Sequence, residues 1–511
     1  MSSSSRSFLT TNAIVGATLL VGFANNIAIA AIFGLTRKVD AFYAAQMLPN
    51  LFMVMCLDYL GKNFLPMLAR AKKEGETSAS ELTSSVVTIT ALLALAVTLL
   101  LVLSSRVLFR ILLPGFDAEN IELVRRDFLI MAPAIVLMTI TVFHQYVCQH
   151  DEDYVQLIAI RSVLPIANLA AIIVGSPIIG IYALPAGYLL GQALVFALMT
   201  RRAKYRYAWR MAMRKDWEVK IFSNSAIVMS SGLIARSRTI IINYVGSLLG
   251  GGAISALAMS SRLTQPLGRT AFMTVRLLMF SRTARLAVNR DSREIARLYD
   301  VGLSAGFLLL APLLWWIALN SAVIVDVIFV RGRFDLRMAA LVSLALLGAV
   351  PSVLFNDVNT LLSNAFYAME RVAVPALVMP FATLIYLVLA PALSRRFGVI
   401  GLTGGTSITA AVTFLVMVTL LARQLPQFSA KRTVGHLLRY ALIGGGSLGV
   451  PAFALRFVSL PEISAALVSL VAGLLLYVLI LYSIKDPVLS FVYRFARKAG
   501  PMREAASNAS T

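Results

Sequence analysis

Charge is scarce in this chain. Of 511 residues only 14% are Asp, Glu, Lys or Arg, against roughly 25% in an ordinary soluble protein, which excludes a solvated globular surface of the usual kind. Cysteine is scarcer still. Cys56 and Cys148 both lie in apolar stretches and have no CxxC spacing, so neither a disulfide framework nor a thiolate metal site is expected. The three histidines, His144, His150 and His436, show no metal-ligand spacing. A Walker A loop, a nucleophile elbow and a long extracytoplasmic loop are missing too, so the chain is read as a non-enzyme with no cofactor and no metal. Alternating segments of about ten residues are not seen, which excludes a membrane barrel.

Apolar residues fill the gap. They make up 59% of the chain, and the mean hydropathy is +0.81. Most stretches between polar breaks reach the roughly 20 residues that a helix needs to cross a bilayer. Fourteen spans are predicted, near 8–34, 41–67, 82–104, 128–149, 154–174, 178–200, 221–247, 253–280, 300–329, 336–367, 372–393, 398–422, 436–456 and 462–484. The fold class is an all-α polytopic membrane protein. The first run, Phe8 to Gly34, is too long for a signal-peptide core and lacks an A-x-A site, so it is read as a retained helix. Pro49, Pro66, Pro133, Pro165, Pro185, Pro351 and Pro380 fall inside spans and predict kinks.

The net charge of +22 raises the question of nucleic acid, but the basic residues sit in short loops between spans. With the N-terminus in the cytoplasm, about 26 Lys and Arg fall inside and about 12 outside, as the positive-inside rule requires. Both termini are then cytoplasmic. The expected setting is the bacterial inner membrane, the expected partners are its lipids and no nucleic acid, and the expected state is a monomer.

An internal repeat organises the chain. Phe33-Gly34 and Asp40-Ala41-Phe42 recur as Val245-Gly246 and Gly252-Ala253-Ile254 at an offset of 212. Phe116-Asp117 recurs as Phe334-Asp335, Pro133 as Pro351 and Gly180 as Gly398, all at 218, and Pro165 pairs with Pro380 at 215. Six spans per half is an even number, so two parallel six-helix lobes are predicted, at 1–200 and 221–423. A basic linker spans 201–220, two additional helices span 436–484, and a cytoplasmic tail covers 485–511.

An ionisable group inside a span costs roughly 2.5–3.5 kcal/mol on insertion scales, so each one faces a cavity or a partner. The chain places Asp40, Asp58, Lys62, Arg161, Arg236, Arg238, Arg262, Arg269, Arg276, Asp326 and Asp357 in or at the edge of spans. Asp58 and Lys62, four apart on one helix face, pair with each other or serve a cavity. Arg236 and Arg238, two apart, point different ways, one toward the interface and one toward the cleft. Arg262 stands where the first half has Asn50, and its planar fork suits a diphosphate or a carboxylate. Asp357, with Asn356 and Asn359, makes a polar knot for substrate, a cation or a neighbouring helix. Asp40 either caps the second span or binds substrate. The candidate substrate-binding set is therefore Arg262, Asp40, Asn50, Asp58, Lys62, Arg236, Arg238 and Asp357.

Specific residues carry a family likeness. Ile32-Phe33-Gly34, Asp40-Ala41-Phe42, Leu48-Pro49-Asn50-Leu51 and Phe64-Leu65-Pro66 resemble the opening of the MurJ/MviN family. Leu113-Pro114-Gly115-Phe116, Ser261-Arg262-Leu263, Arg331-Gly332-Arg333-Phe334 and Ala365-Phe366-Tyr367-Ala368 extend the likeness over nearly the whole chain. The resemblance implies the MOP superfamily fold and flipping of an undecaprenyl-diphosphate-linked saccharide, with a groove for the lipid tail in the last two spans. It carries the family's span-eight arginine onto Arg262, here preceded by Ser261, and its acid between the first two spans onto Asp40. Its span-one arginines fall on Leu19 and Asn25, its span-two pair on Met53 and Val54, and its span-two glutamate at best on Asp58. The missing arginines leave the head group open between lipid II and a related exopolysaccharide or O-antigen unit. A MATE-like cation or drug antiporter is the alternative, and a membrane glycosyltransferase or ligase a more distant one.

Overall fold

A computed structural model describes residues 3–55, 62–151, 154–203, 205–211, 234, 237–264, 279, 282–283, 286 and 291–490. Helices dominate the described residues, and no strand occurs among them. Eight described helices are long and apolar enough to cross a membrane, nine if the bent pair Ala118–Met131 and Pro133–His150 counts as one span. Two of the eight run for 48 and 52 residues, far beyond the roughly 20 a bilayer requires. Each is divided by a glycine at positive φ: Gly180 at 59° and Gly398 at 62°. These glycines are the repeat pair at offset 218. The repeat extends to whole helices, since Ala118–His150 shifted by 218 covers Leu336–Ala368.

By its contacts the chain forms two compact units: residues up to Ser255 together with Arg331–Asp335, and Ala256–Val330 together with Leu336 onward. In the first unit α1 (Ser3–Phe33) and α2 (Arg37–Met55) are joined by Gly34. The Gly34 amide donates to the Ala30 carbonyl at φ 64°, a left-handed helix stop. They are followed by α3 (Lys62–Glu74), α4 (Glu76–Leu112), α5 (Ala118–Met131), α6 (Pro133–His150), α7 (Tyr154–Ile179) and α8 (Ala183–Arg202). The unit closes with α9 (Arg238–Leu248) and the start of α10 (253–264).

Proline acts as expected at Pro133, which opens α6 after a 40° bend. Pro185 does not kink a helix. It lies in the first turn of α8, where the missing N–H has no helical acceptor. The span expected at 41–67 is helical to Met55 and again from Lys62, the intervening residues lying outside the described set.

Phe64, Leu68, Leu82, Val86 and Phe143 form a core between α3, α4 and α6, with Phe64 edge-on to Phe143 at 5.3 Å. The stretch expected as a linker begins on this core: Ala203 is part of it and Tyr205 packs against it. Tyr205 also contacts His144 Nε2 at 2.9 Å, and burial pushes its phenol pKa up. The chain then follows α4. The Ala208 amide donates to Ser84 Oγ at 3.1 Å, Tyr207 and Thr88 share a hydroxyl bond of 2.9 Å, and Arg210 pairs with Glu81. Residues 205–211 thus lie as a strap along α4.

The second unit holds α11 (Ser292–Leu319), α12 (Ser321–Phe329), α13 (Leu336–Ala368), α14 (Ala373–Gln424), α15 (Ala430–Ala454) and α16 (Glu462–Ser483). Pro351 interrupts α13, and α14 repairs the break. Ser407 Oγ accepts from the Ser352 amide at 3.0 Å and donates to the Gly348 carbonyl at 2.6 Å, so a hydroxyl from the neighbouring helix sits inside the backbone ladder. The last two helices dock on α11. Trp316 Nε1 donates to Ala466 O at 2.9 Å, Tyr477 OH donates to Leu308 O at 3.0 Å, and Trp315 packs on Gly445.

Candidate functional site

Asp40 is fully buried in the fourth position of α2. It does not cap its own helix. Its carboxylate accepts from the Gly252 amide at 2.6 Å, the Ser255 amide at 2.7 Å and Ser255 Oγ at 2.6 Å. These donors form the first turn of α10, so Asp40 supplies the N-terminal cap of a helix more than 200 residues away. The sequence offered the acid and not the bond, because two of its three donors are backbone amides that any residue carries.

Two glycine turns reinforce the same end of this unit. A side chain on Gly115 would meet the Ser247 carbonyl at 2.1 Å, and one on Gly332 (φ 61°) would meet the Ala31 carbonyl at 2.2 Å. Backbone therefore approaches backbone at both points, and only glycine permits it. The Gly115 amide donates to Ser247 Oγ at 3.2 Å, and the Arg333 amide donates to Ala31 O at 2.8 Å. Gly115 and Arg333 are equivalent in the repeat at 218. The Arg37 guanidinium lies 6.0 Å from the Phe116 ring centre.

The remaining expected residues are dispersed. Asn50 is exposed on α2, and its Oδ1 accepts from Tyr188 OH at 3.1 Å. Arg238 is half-buried at the first position of α9. Arg262 is exposed on α10, in the second unit. Asp357 is buried on α13, its neighbour Asn356 is exposed, and Asn359 donates to Ala410 O at 2.9 Å. Asp58 and Arg236 lie outside the described residues, and of Lys62 only the backbone, opening α3, is described.

Two cavities lie among the helices. One, of about 80 Å³, lies among α2, α6, α7 and α8 and is lined by Met53, Gln145, Arg161 and Gln192. The other, of about 330 Å³, is apolar and lies in the second unit, with Trp316, Val327, Leu346, Ile463 and Leu467 in its wall. Arg161 was visible in the sequence as an ionisable group inside a span; Gln145 and Gln192 carried no signal there.

The family model described as "Lipid II flippase MurJ" matches residues 29–484. The chain belongs to the MurJ family. A probable lipid II flippase MurJ of Buchnera aphidicola is 26% identical over 415 residues, covering 78% of this chain and 80% of that protein. The lipid II flippase MurJ of Burkholderia cenocepacia is 25% identical over 393 residues, covering 72% and 74%. Among solved structures, a lipid II flippase MurJ in an inward closed conformation aligns with a TM-score of 0.79 at 17% identity, over 96% of this chain and 99% of that one. An inward-facing MATE transporter of the MOP superfamily aligns at 0.66 and 13%, over 80% and 95%. Both structures share the fold, as the resemblance implied. MurJ membership makes this a multi-pass inner-membrane transporter. Met53 lines the small cavity beside Arg161.

Proposed function

We propose that this chain is a flippase that carries an undecaprenyl-diphosphate-linked saccharide, lipid II or a related cell-envelope precursor, across the cytoplasmic membrane by alternating access. The family match over residues 29–484 carries the reading. The apolar cavity bounded by α16 suits a hydrocarbon tail. The Asp40 cluster is made entirely of hydrogen bonds to one helix end, a contact that forms and breaks without covalent chemistry. We further propose fourteen spans, both termini cytoplasmic, a monomer, and the eight residues of the candidate set as substrate contacts.

A MATE-like antiporter of cations shares the fold but fits the small cavity poorly, since no acidic side chain among the described residues lines it. The test is expression in cells depleted of their own lipid II flippase, with lipid-linked saccharides counted in the outer leaflet. Partial rescue is expected, because only Arg262 stands where the family likeness expects a cavity arginine. Failure to move any polyprenyl-diphosphate saccharide, in cells or in vesicles, sinks the proposal.

A further inference from the structure

Arg161 is the eighth residue of the apolar helix α7, roughly 10 Å along it at 1.5 Å per residue. A guanidinium at that depth is costly unless something answers its charge, yet no described carboxylate pairs with it. It is exposed rather than packed, and the space it borders is the 80 Å³ cavity among α2, α6, α7 and α8. That volume has room for on the order of five waters. Gln192 from α8 is buried in the wall, and Gln145 from α6 is half-buried there. The guanidinium and the two amides together offer nine N–H donors, and the rest of the wall is largely apolar.

A cavity with a cation, amide donors, largely apolar walls and no described acid suits an anion with several acceptor oxygens. We propose that Arg161, Gln145 and Gln192 form a phosphoryl-binding subsite inside the N-terminal unit, which takes the diphosphate of the lipid-linked substrate. The assignment rests on the flippase reading and adds to it the residues that hold the charge. The planar fork of Arg161 binds two phosphate oxygens at once, which a lysine cannot reproduce. Neighbouring bonds hold α7 in register with α1: Asn25 Nδ2 donates to Pro165 O at 2.8 Å, and Thr18 bonds to Ser162.

The test uses the purified full-length chain in detergent, with farnesyl diphosphate, farnesol and inorganic pyrophosphate as probes. Farnesyl diphosphate should bind, and Arg161→Ala should weaken it at least about tenfold, leaving farnesol binding unchanged. Arg161→Lys should weaken it several-fold. Pyrophosphate should compete in the unaltered protein and lose that ability in Arg161→Ala. If Arg161→Ala does not yield a monodisperse protein, Arg161→Lys decides the matter by the same measurement. Equal farnesyl diphosphate affinity in variant and unaltered protein overturns the subsite and leaves the flippase reading standing. Absence of any translocation of lipid-linked saccharide by the unaltered chain is the separate failure of that reading.

Discussion

Asp40 and Gly252, equivalent positions of the internal repeat, are bonded to each other: the Gly252 amide donates to the Asp40 carboxylate at 2.6 Å. Ser255 adds two more donors to the same group. The acid and the helix start that it caps lie in one compact unit, more than 200 residues apart in the chain. Asp40→Asn keeps one acceptor oxygen and loses the charge. Hydrogen bonds to charged groups are worth about 1.5–3 kcal/mol each, so the variant should unfold at clearly lower temperature in detergent and transport more slowly. A variant with the same unfolding temperature and transport rate as the unaltered chain would show the cluster to be ornamental.

Ser407 bridges the break that Pro351 leaves in α13. Ser407→Ala strips one bond from the Ser352 amide and one from the Gly348 carbonyl, both buried in the contact with α14. Unsatisfied buried groups cost about 1–3 kcal/mol each, and the loss should appear as a lowered midpoint of unfolding. Ser407→Thr keeps the hydroxyl and should lie nearer the unaltered protein. If both behave alike, the hydroxyl is not the repair.

Gly348 stands at the closest approach of α13 to α14. An added Cβ would meet Thr403 Oγ1 at 2.2 Å and the Ile400 carbonyl at 2.7 Å. Overpacking of this kind costs about 1–3 kcal/mol. Gly348→Ala should be destabilised, and adding Thr403→Ala should recover only part of the loss, because the Ile400 carbonyl is backbone and stays. Full recovery in the double variant would place the whole clash on the threonine.

Gly398 separates the two halves of a 52-residue helical run with φ 62° and ψ −137°. Nothing lies within 4 Å of where a Cβ would stand, so any penalty for Gly398→Ala is one of backbone conformation alone. A non-glycine residue in such a region costs about 1–3 kcal/mol. Gly398→Asn should be no better, since asparagine tolerates the left-handed helical region, whose ψ is positive. Chemical denaturation of the variants checks this, and an unchanged midpoint for Gly398→Ala would contradict the assigned turn.

The strap at 205–211 provides a readout of its own. Ser84 and Thr88 hold its backbone and Tyr207 against α4. Ser84→Ala with Thr88→Val should expose the bonds after Arg206 and Arg210 to trypsin, and cleavage there should accelerate several-fold in detergent. Equal digestion rates would mean that packing of Ala203 and Tyr205 suffices.

Hydropathy alone determined the helical class of this protein, because a bilayer sets one length scale and any run of apolar residues long enough to meet it announces itself. The repeat was legible for a similar reason: glycine and proline mark backbone geometry wherever they stand. Gly180 and Gly398, paired at an offset of 218, adopt nearly the same φ. What the tertiary structure decided was partnership. Asp40 was readable as an acid at a helix start and Gly252 as its repeat equivalent, but nothing along the chain announced that the two bond to each other or that Ser255 adds its amide and hydroxyl. Arg161 was readable as a charge inside a span, but its cavity is built with Gln145 and Gln192 from two other helices. In a membrane the neighbours of a polar side chain come from whichever helices pack beside it, and that packing depends on close contacts among small residues such as Gly348 against α14 rather than on anything periodic along one chain segment.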